Sequence, residues 1–396
     1  MKKICYILLF IMFLVPISTN ALENSNENNK DDTKDNSINL IENATSGLLM
    51  EQSTGKIIFE KNKDKQVAVA SMTKMVAQTI ILENIEKGKI KWTDIVEVSK
   101  NAADMGGSQI YLNTGEKMSV KDLFKGISMA SANDAVVAMA EYISGSEKEF
   151  VKLMNNKVKE LGLKNTKFKN STGLDEDGHY SSAYDMGIIA RNLLMHEEIL
   201  KFSSVYEDYL REDTENKFWL VNTNKLVRFY KGADGLKTGH TDAAKYCLAA
   251  TAKKDNMRLI AIVLGEENGK VRNSETMALL DYGFNTKKVT ILKKKNQVVK
   301  KIKFDKGNKE SIKIKPKYDV GILEDKQASG NKYNYNIKIN NLKLPMKKGD
   351  TVGRITVTKN NKKITSVDLV SDTNVKKLNF LELYIETIKN AILGIM

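Results

Sequence analysis

The chain has 396 residues, 41% of them hydrophobic and 28% charged, which is too long for one ordinary domain and enough for a catalytic domain plus a smaller one. Its formal net charge of +14 suits work beside an acidic wall and an anionic membrane surface. No stretch has the make-up of a recognition helix or an RNA-binding sheet, so nucleic acid is set aside as a partner.

Lys2 and Lys3 precede an apolar run from Ile4 to Ile17, followed by Ser18-Thr19-Asn20-Ala21. A charged start, an apolar run and small residues are the layout of a secretory signal peptide, here 1–21. The run is short for a membrane span, so cleavage near Ala21 is expected, with export to the outer face of the cytoplasmic membrane and cell wall. Cys5 lies within that segment. Cys247 then stands alone in an apolar strand, so the mature chain forms no intramolecular disulfide, and a buried structural thiol is expected. Residues 22–43, rich in Asn, Asp, Lys and Ser, read as a disordered tether.

A globular pattern begins near Ala44. Gly47–Met50 and Lys56–Phe59 flank the turn Gln52-Ser53-Thr54-Gly55 and predict a hairpin. The spacing predicts helices over 71–85, 119–130, 133–143, 149–161 and 183–195. Strands are expected at 233–237, 246–252 and 259–264, with a closing helix at 273–282. The fold class is therefore α+β, an antiparallel sheet with a helical block, over 44–284. Residues 285–373 are lysine-rich, with short alternating segments such as Tyr335-Asn336-Ile337-Lys338-Ile339, and predict a small all-β domain for spacing or wall contact. In the tail, 374–396, Leu381, Tyr384, Ile385, Ile388, Ile392 and Ile395 share one helical face; Glu382, Glu386, Lys389 and Asn390 share another. This amphipathic helix is expected to lie on a membrane surface rather than cross it. A terminal helix packed on the preceding domain is the alternative.

The chemistry gathers in three short strings. Ser71-Met72-Thr73-Lys74 opens a predicted helix, and positions i and i+3 share a face, so the Lys74 amine can reach the Ser71 hydroxyl. Serine is a poor nucleophile until a base takes its proton, and a lysine kept neutral by desolvation and neighbouring cations can do so. The helix N-terminus adds a positive dipole. The same spacing at Ser53/Lys56 and Ser329/Lys332 falls in solvated turns. Ser131-Ala132-Asn133 lies between two predicted helices, where Ser131 can pass a proton to the leaving group and Asn133 can hold a substrate amide. Lys237-Thr238-Gly239 ends a predicted strand. Lys237 offers a cation to a substrate carboxylate, Thr238 a hydroxyl, and Gly239 room for substrate backbone along the strand edge. The backbone amides of Ser71 and His240 are the natural oxyanion-hole donors.

Ser-x-x-Lys, Ser-x-Asn and Lys-Thr-Gly in this order resemble the signature of penicillin-binding proteins and serine β-lactamases. The strings around them, Val67 to Lys74, Leu161-Gly162-Leu163, Asn170-Ser171-Thr172-Gly173-Leu174 and Asp234 to Asp242, resemble the low-molecular-mass D-alanyl-D-alanine carboxypeptidases. The similarity covers Ala44 to Phe284 well and the rest more loosely. It implies Ser71 as nucleophile, Lys74 as proton acceptor, Ser131 as helper and Lys237 as carboxylate binder. It also implies peptidoglycan stem peptides ending in D-Ala-D-Ala as substrate and β-lactams as trapping mimics. Two positions depart from that pattern: Tyr184 stands where arginine is common and Ser171 where proline is common.

Other readings fit less well. A class A β-lactamase needs a Glu-x-x-Leu-Asn string, and Glu160-Leu161-Gly162-Leu163-Lys164-Asn165 has an extra residue. A metallopeptidase needs clustered ligands, whereas His179, His196 and His240 are scattered and His196-Glu197-Glu198 reads as an exposed helix end. No metal or cofactor is implied. A penicillin sensor that turns over poorly would keep the motifs without releasing D-alanine. A transpeptidase would differ only in letting an amine, not water, attack the acyl-enzyme. Asp234 and Arg258 are expected to form ion pairs near the site without taking part in catalysis.

Overall fold

The computed structural model describes residues 39–303, 307–309 and 311–392. The expected signal peptide, the tether up to residue 38 and Ile395 lie outside them. Within 44–266, period-two alternation builds an antiparallel sheet whose strands run in the order Ile57–Lys61, Ser46–Glu51, Met257–Glu266, Lys245–Lys254, Ala233–Thr241. Successive side chains point to opposite faces, and both faces are apolar. Leu48, Met50, Ala249, Ile260 and Ile262 pack into one core with the helical block. Leu49, Leu248, Ala250, Leu259 and Val263 pack into a second core under the helix Gly269–Thr286, through Leu279, Leu280 and Phe284. The sheet is thus the middle of three layers, and each fully buried aliphatic side chain contributes about 1.5–3 kcal/mol.

The helical block owes its boundaries to hydroxyl caps. Ser119, Ser146 and Ser182 accept from the amides of Asp122, Glu149 and Asp185 at the starts of Val120–Met129, Glu147–Glu160 and Ala183–Leu193. Each such cap is worth about 1 kcal/mol. Asn133–Ser144 is the remaining long helix of this layer beside Lys74–Glu86.

Several expectations change. The tether was expected to reach residue 43, yet Ile41 is fully buried, its methyl placed against Gly47, and Lys61 Nζ donates to the carbonyls of Ile41 and Glu42. The helix expected from Ser71 begins as a tight turn, Ala70–Thr73, and becomes α-helical at Lys74. Ala70 has φ +47°, which ordinary helical entry does not use. The strand expected to stop at Lys237 runs on to Thr241, so Lys237-Thr238-Gly239 lies inside the edge strand. His196 is not exposed: it is buried, with Nδ1 2.8 Å from Glu86 Oε1.

Beyond the helix Gly269–Thr286, a second set of strands pairs in the order Lys300–Lys303, Ser311–Pro316, Lys362–Ser371, Thr351–Lys359, Asn334–Ile339, with Lys287–Lys293 on Val320–Asp325 beside it. Ile312, Ile314, Val320, Ile322, Ile355, Val357 and Leu369 form its core. The tail helix Phe380–Ile392 leaves Phe380, Leu381, Tyr384, Ile385 and Ile388 exposed. Among the described residues no helix is long and apolar enough to cross a membrane.

Candidate active site

The site forms where the edge strand Ala233–Thr241 meets the turn Ala70–Thr73. Gly239 makes that approach possible: a Cβ there would stand 2.6 Å from the Val69 carbonyl oxygen and 3.2 Å from the Ala70 Cβ. The turn holds Ser71 half-buried, and the first residue of the following helix, Lys74, is 0% exposed.

Lys74 Nζ has three neighbours, one for each hydrogen of an ammonium. It donates to Ser71 Oγ at 2.9 Å, Asn133 Oδ1 at 2.6 Å and the Thr172 carbonyl at 2.6 Å. The Ser71 hydroxyl also faces that carbonyl, at 3.5 Å. Burial holds the Lys74 pKa well below the usual amine range, and the Lys237 charge lowers it further against the opposing pull of Asp134. Neutral Lys74 keeps two hydrogens, for Asn133 and Thr172, and gains a lone pair facing Ser71.

Asn133 has contacts within the protein that its motif did not announce. Its Oδ1 accepts from Lys74, and its Nδ2 donates to the Gly106 carbonyl at 2.7 Å, which leaves one N–H and one oxygen lone pair of the amide uncommitted. Its backbone N–H donates to Ser108. The neighbouring Asp134 accepts from the amides of Ile110, Leu112 and Ala135, fixing the loop 106–112 against the same helix. Ser131 sits two residues earlier, buried, with φ +64°. Among the described residues its hydroxyl makes no hydrogen bond to Lys74, so the direct cluster is Ser71, Lys74 and Asn133.

Lys237 is 1% exposed, and burial followed by the Arg272 charge lowers its pKa to about 7. Its Nζ donates to the Thr238 carbonyl at 3.0 Å. Thr238 Oγ1 donates to Thr223 Oγ1 at 2.8 Å, and Thr223 N–H donates to the Met129 carbonyl, tying the edge strand to the helical block. His240 is exposed, its ring 4.2 Å from that of Tyr246. Arg258 grips Asp234 through two nitrogens at 2.6 and 2.8 Å, as expected of a structural pair. Cys247 is buried, its thiol pushed up to about 12 by burial. Among the described residues no three His, Cys, Asp or Glu side chains gather as a metal site.

Motif reading missed three participants. The Thr172 carbonyl is one: a main-chain oxygen has no side-chain signature. Its signal was Gly173, whose φ is +84° and whose Cβ would lie 1.9 Å from the Ala70 carbonyl oxygen. Arg272 is the second: it lies in no recognisable string, yet it is the charge that acts on Lys237. His179 is the third: buried, with Nε2 2.8 Å from Thr73 Oγ1 inside the nucleophile turn. The departure at Ser171 also acquires a reason. Its N–H and Oγ–H both donate to Glu147 Oε1, at 2.9 and 2.7 Å, and proline lacks that N–H.

The chain was compared with known proteins. The sequence model of the D-alanyl-D-alanine carboxypeptidase family matches residues 33–268, and that of the penicillin-binding protein 5 C-terminal domain matches 284–377. The D-alanyl-D-alanine carboxypeptidase DacF of Bacillus subtilis is 47% identical over 382 residues, covering 96% of either chain. The structure of penicillin-binding protein 5 from Haemophilus influenzae superposes with a TM-score of 0.67 at 32% identity, covering 85% of this chain and 98% of that one. Penicillin-binding protein D2 of Listeria monocytogenes, in its ampicillin-bound form, is similar over 61% of this chain and 97% of its own, at 30% identity and a TM-score of 0.55. With a family match over more than half its length, and an extended relative of high identity, the chain belongs to the D-alanyl-D-alanine carboxypeptidase family.

Proposed function

We propose that the chain hydrolyses the terminal D-Ala-D-Ala bond of peptidoglycan stem pentapeptides through an acyl-enzyme on Ser71, releasing D-alanine and limiting cross-linking. The observation that carries this reading is a wholly buried Lys74 amine 2.9 Å from the Ser71 hydroxyl, with its pKa driven down by its surroundings. Neutral Lys74 takes the Ser71 proton as Oγ bonds to the penultimate carbonyl carbon. The oxyanion that forms is held by the backbone N–H groups of Ser71 and His240. Collapse breaks the C–N bond, and the proton on Lys74 passes through Ser131 to the leaving D-alanine amine. Water then attacks the ester, Lys74 takes its proton, and Ser71 Oγ–H is restored.

Lys237 binds the terminal carboxylate, with Arg272 as a second positive charge, while Thr238 and Gly239 line the strand edge where the substrate backbone lies. A carboxylate arriving beside Lys237 favours its charged form, and such a charge-assisted bond is worth about 1.5–3 kcal/mol. In this scheme Asn133 orients Lys74 through Oδ1 and keeps an N–H for a substrate amide. The ampicillin-bound form of the Listeria relative supports β-lactam binding by this chain, which the scheme assigns to Ser71.

The working division is a catalytic domain over 44–284, a β-rich domain over 285–373 and a tail helix over 374–396, which the two family matches support. Export follows from the signal-like start. The exposed row Phe380, Leu381, Tyr384, Ile385 and Ile388 supports peripheral attachment to the outer face of the membrane through the tail.

The test is D-alanine release from a peptide ending in Lys-D-Ala-D-Ala, by the full chain and its Ser71→Ala variant, with and without an added acceptor amine. Release by the parent, none by the variant and little amide product support the proposal. Predominant transfer to the amine would make the chain a transpeptidase. Penicillin labelling with no release would make it a sensor.

A further inference from the structure

The segment Lys167–Tyr180 is a loop closed by paired backbone hydrogen bonds between its two ends, both 3.0 Å. Its tip carries Thr172, whose carbonyl accepts from Lys74; its base carries His179. His179 Nδ1 accepts from the Lys169 N–H at 3.2 Å. A neutral imidazole has one N–H, so with Nδ1 accepting, the proton sits on Nε2 and is donated to Thr73 Oγ1 at 2.8 Å. Burial lowers the ring's pKa to about 4, in keeping with a neutral ring. Thr73 lies between Ser71 and Lys74 and is itself 0% exposed.

The loop therefore grips the nucleophile turn from two sides: the Thr172 carbonyl on the amine of Lys74, and His179 on the hydroxyl between the two reacting residues. Gly173 packs directly against the Ala70 carbonyl, so the loop and the turn are in backbone contact beside these two bonds. We propose that His179 is a positioning residue for acylation, fixing through Thr73 the distance between the Thr172 carbonyl and Lys74 and so the aim of Lys74 at Ser71. It touches neither substrate nor the reacting atoms. This rests on the assignment of Ser71 as nucleophile.

His179→Gln, His179→Asn, His179→Phe and Thr73→Val separate the two bonds the ring makes. Glutamine places an amide N–H near the Nε2 position and keeps the donor to Thr73. Asparagine places an oxygen near Nδ1 and keeps only the acceptor for Lys169. Rates are measured on the full-length enzyme, per active site titrated with a radiolabelled penicillin, so loss of folded protein does not count as loss of chemistry. The expected result is a fall of about tenfold or more in kcat and in the acylation rate for the Phe and Asn variants, with KM within about twofold. The Gln variant should stay within about threefold of the parent, and Thr73→Val should match His179→Phe, with no further loss when the two are combined. Unchanged kcat in His179→Phe overturns the proposal. So does a Gln variant as slow as Phe, or losses from Thr73→Val and His179→Phe that multiply. Penicillin labelling of Ser71→Ala would instead sink the nucleophile assignment on which it rests.

Discussion

Lysine is used in opposite ways by the two parts of this chain. In the β-rich part, Lys301, Lys303 and Lys313 are exposed while Ile312 and Ile314 turn inward, so the charges stay in water and cost little. In the catalytic part, Lys74 and Lys237 are fully buried, and each is held away from its ordinary ionised state by the surrounding low-dielectric interior. A solvated lysine serves solubility and surface contact. A desolvated lysine becomes a base, or a cation waiting for a carboxylate. The expected consequence is that substitutions of the buried lysines in the catalytic part change chemistry and those of the solvated lysines in the β-rich part do not.

The largest effect is predicted for Lys74→Ala, which should slow penicillin acylation by about 10²–10⁴-fold, the usual contribution of a positioned base. Its circular dichroism spectrum should match the parent's; normal labelling would remove Lys74 from the mechanism. Next comes Gly173→Ala. A Cβ 1.9 Å from the Ala70 carbonyl oxygen forces the loop or the turn to move. The variant should lose about 2–4 kcal/mol of stability in urea melts together with most activity.

A pH effect separates the regions further. Glu266 and Glu275 face each other beneath the N-terminal segment, where the Asn43 N–H donates to Glu275 Oε1. Burial, then the hydrogen bond and charge of Glu275, raise the Glu266 pKa to about 8. A carboxyl that keeps its proton in the folded state stabilises fully below its unfolded pKa, and that contribution drains away as pH rises to about 8. Melting temperature should therefore fall between mildly acidic and mildly alkaline pH, and Glu266→Gln should flatten the fall; an unchanged slope would count against the shared proton. The smallest effect belongs to Arg354→Ala in the β-rich part. Its pair with Asp368 lies in water, with Arg354 57% exposed, so the loss should be under about 1 kcal/mol and kcat should not change.

What could be read from the sequence follows the same contrast. Alternation and helical spacing are set by burial, so the sheet, the helices and the second set of strands were legible. The side-chain members of the cluster were legible because Ser71, Lys74 and Asn133 sit at spacings that chemistry restricts. The Thr172 carbonyl, the left-handed Ala70 and the tie from His179 to Thr73 were not, because they depend on two distant segments meeting. The edge strand was expected to stop at Lys237 and runs on to Thr241, because Gly239 is the place where it passes the nucleophile turn. His196 looked solvated beside two glutamates, but its partner Glu86 comes from a helix 110 residues earlier.

The proposed reaction passes through a covalent bond at Ser71. The most direct measurement is intact-mass analysis of the full chain after brief exposure to penicillin, followed by peptide mapping, alongside Ser71→Ala. A single penicilloyl adduct on the peptide carrying Ser71, absent from the variant, is the predicted result. An adduct on the variant, or on another residue of the parent, would contradict it.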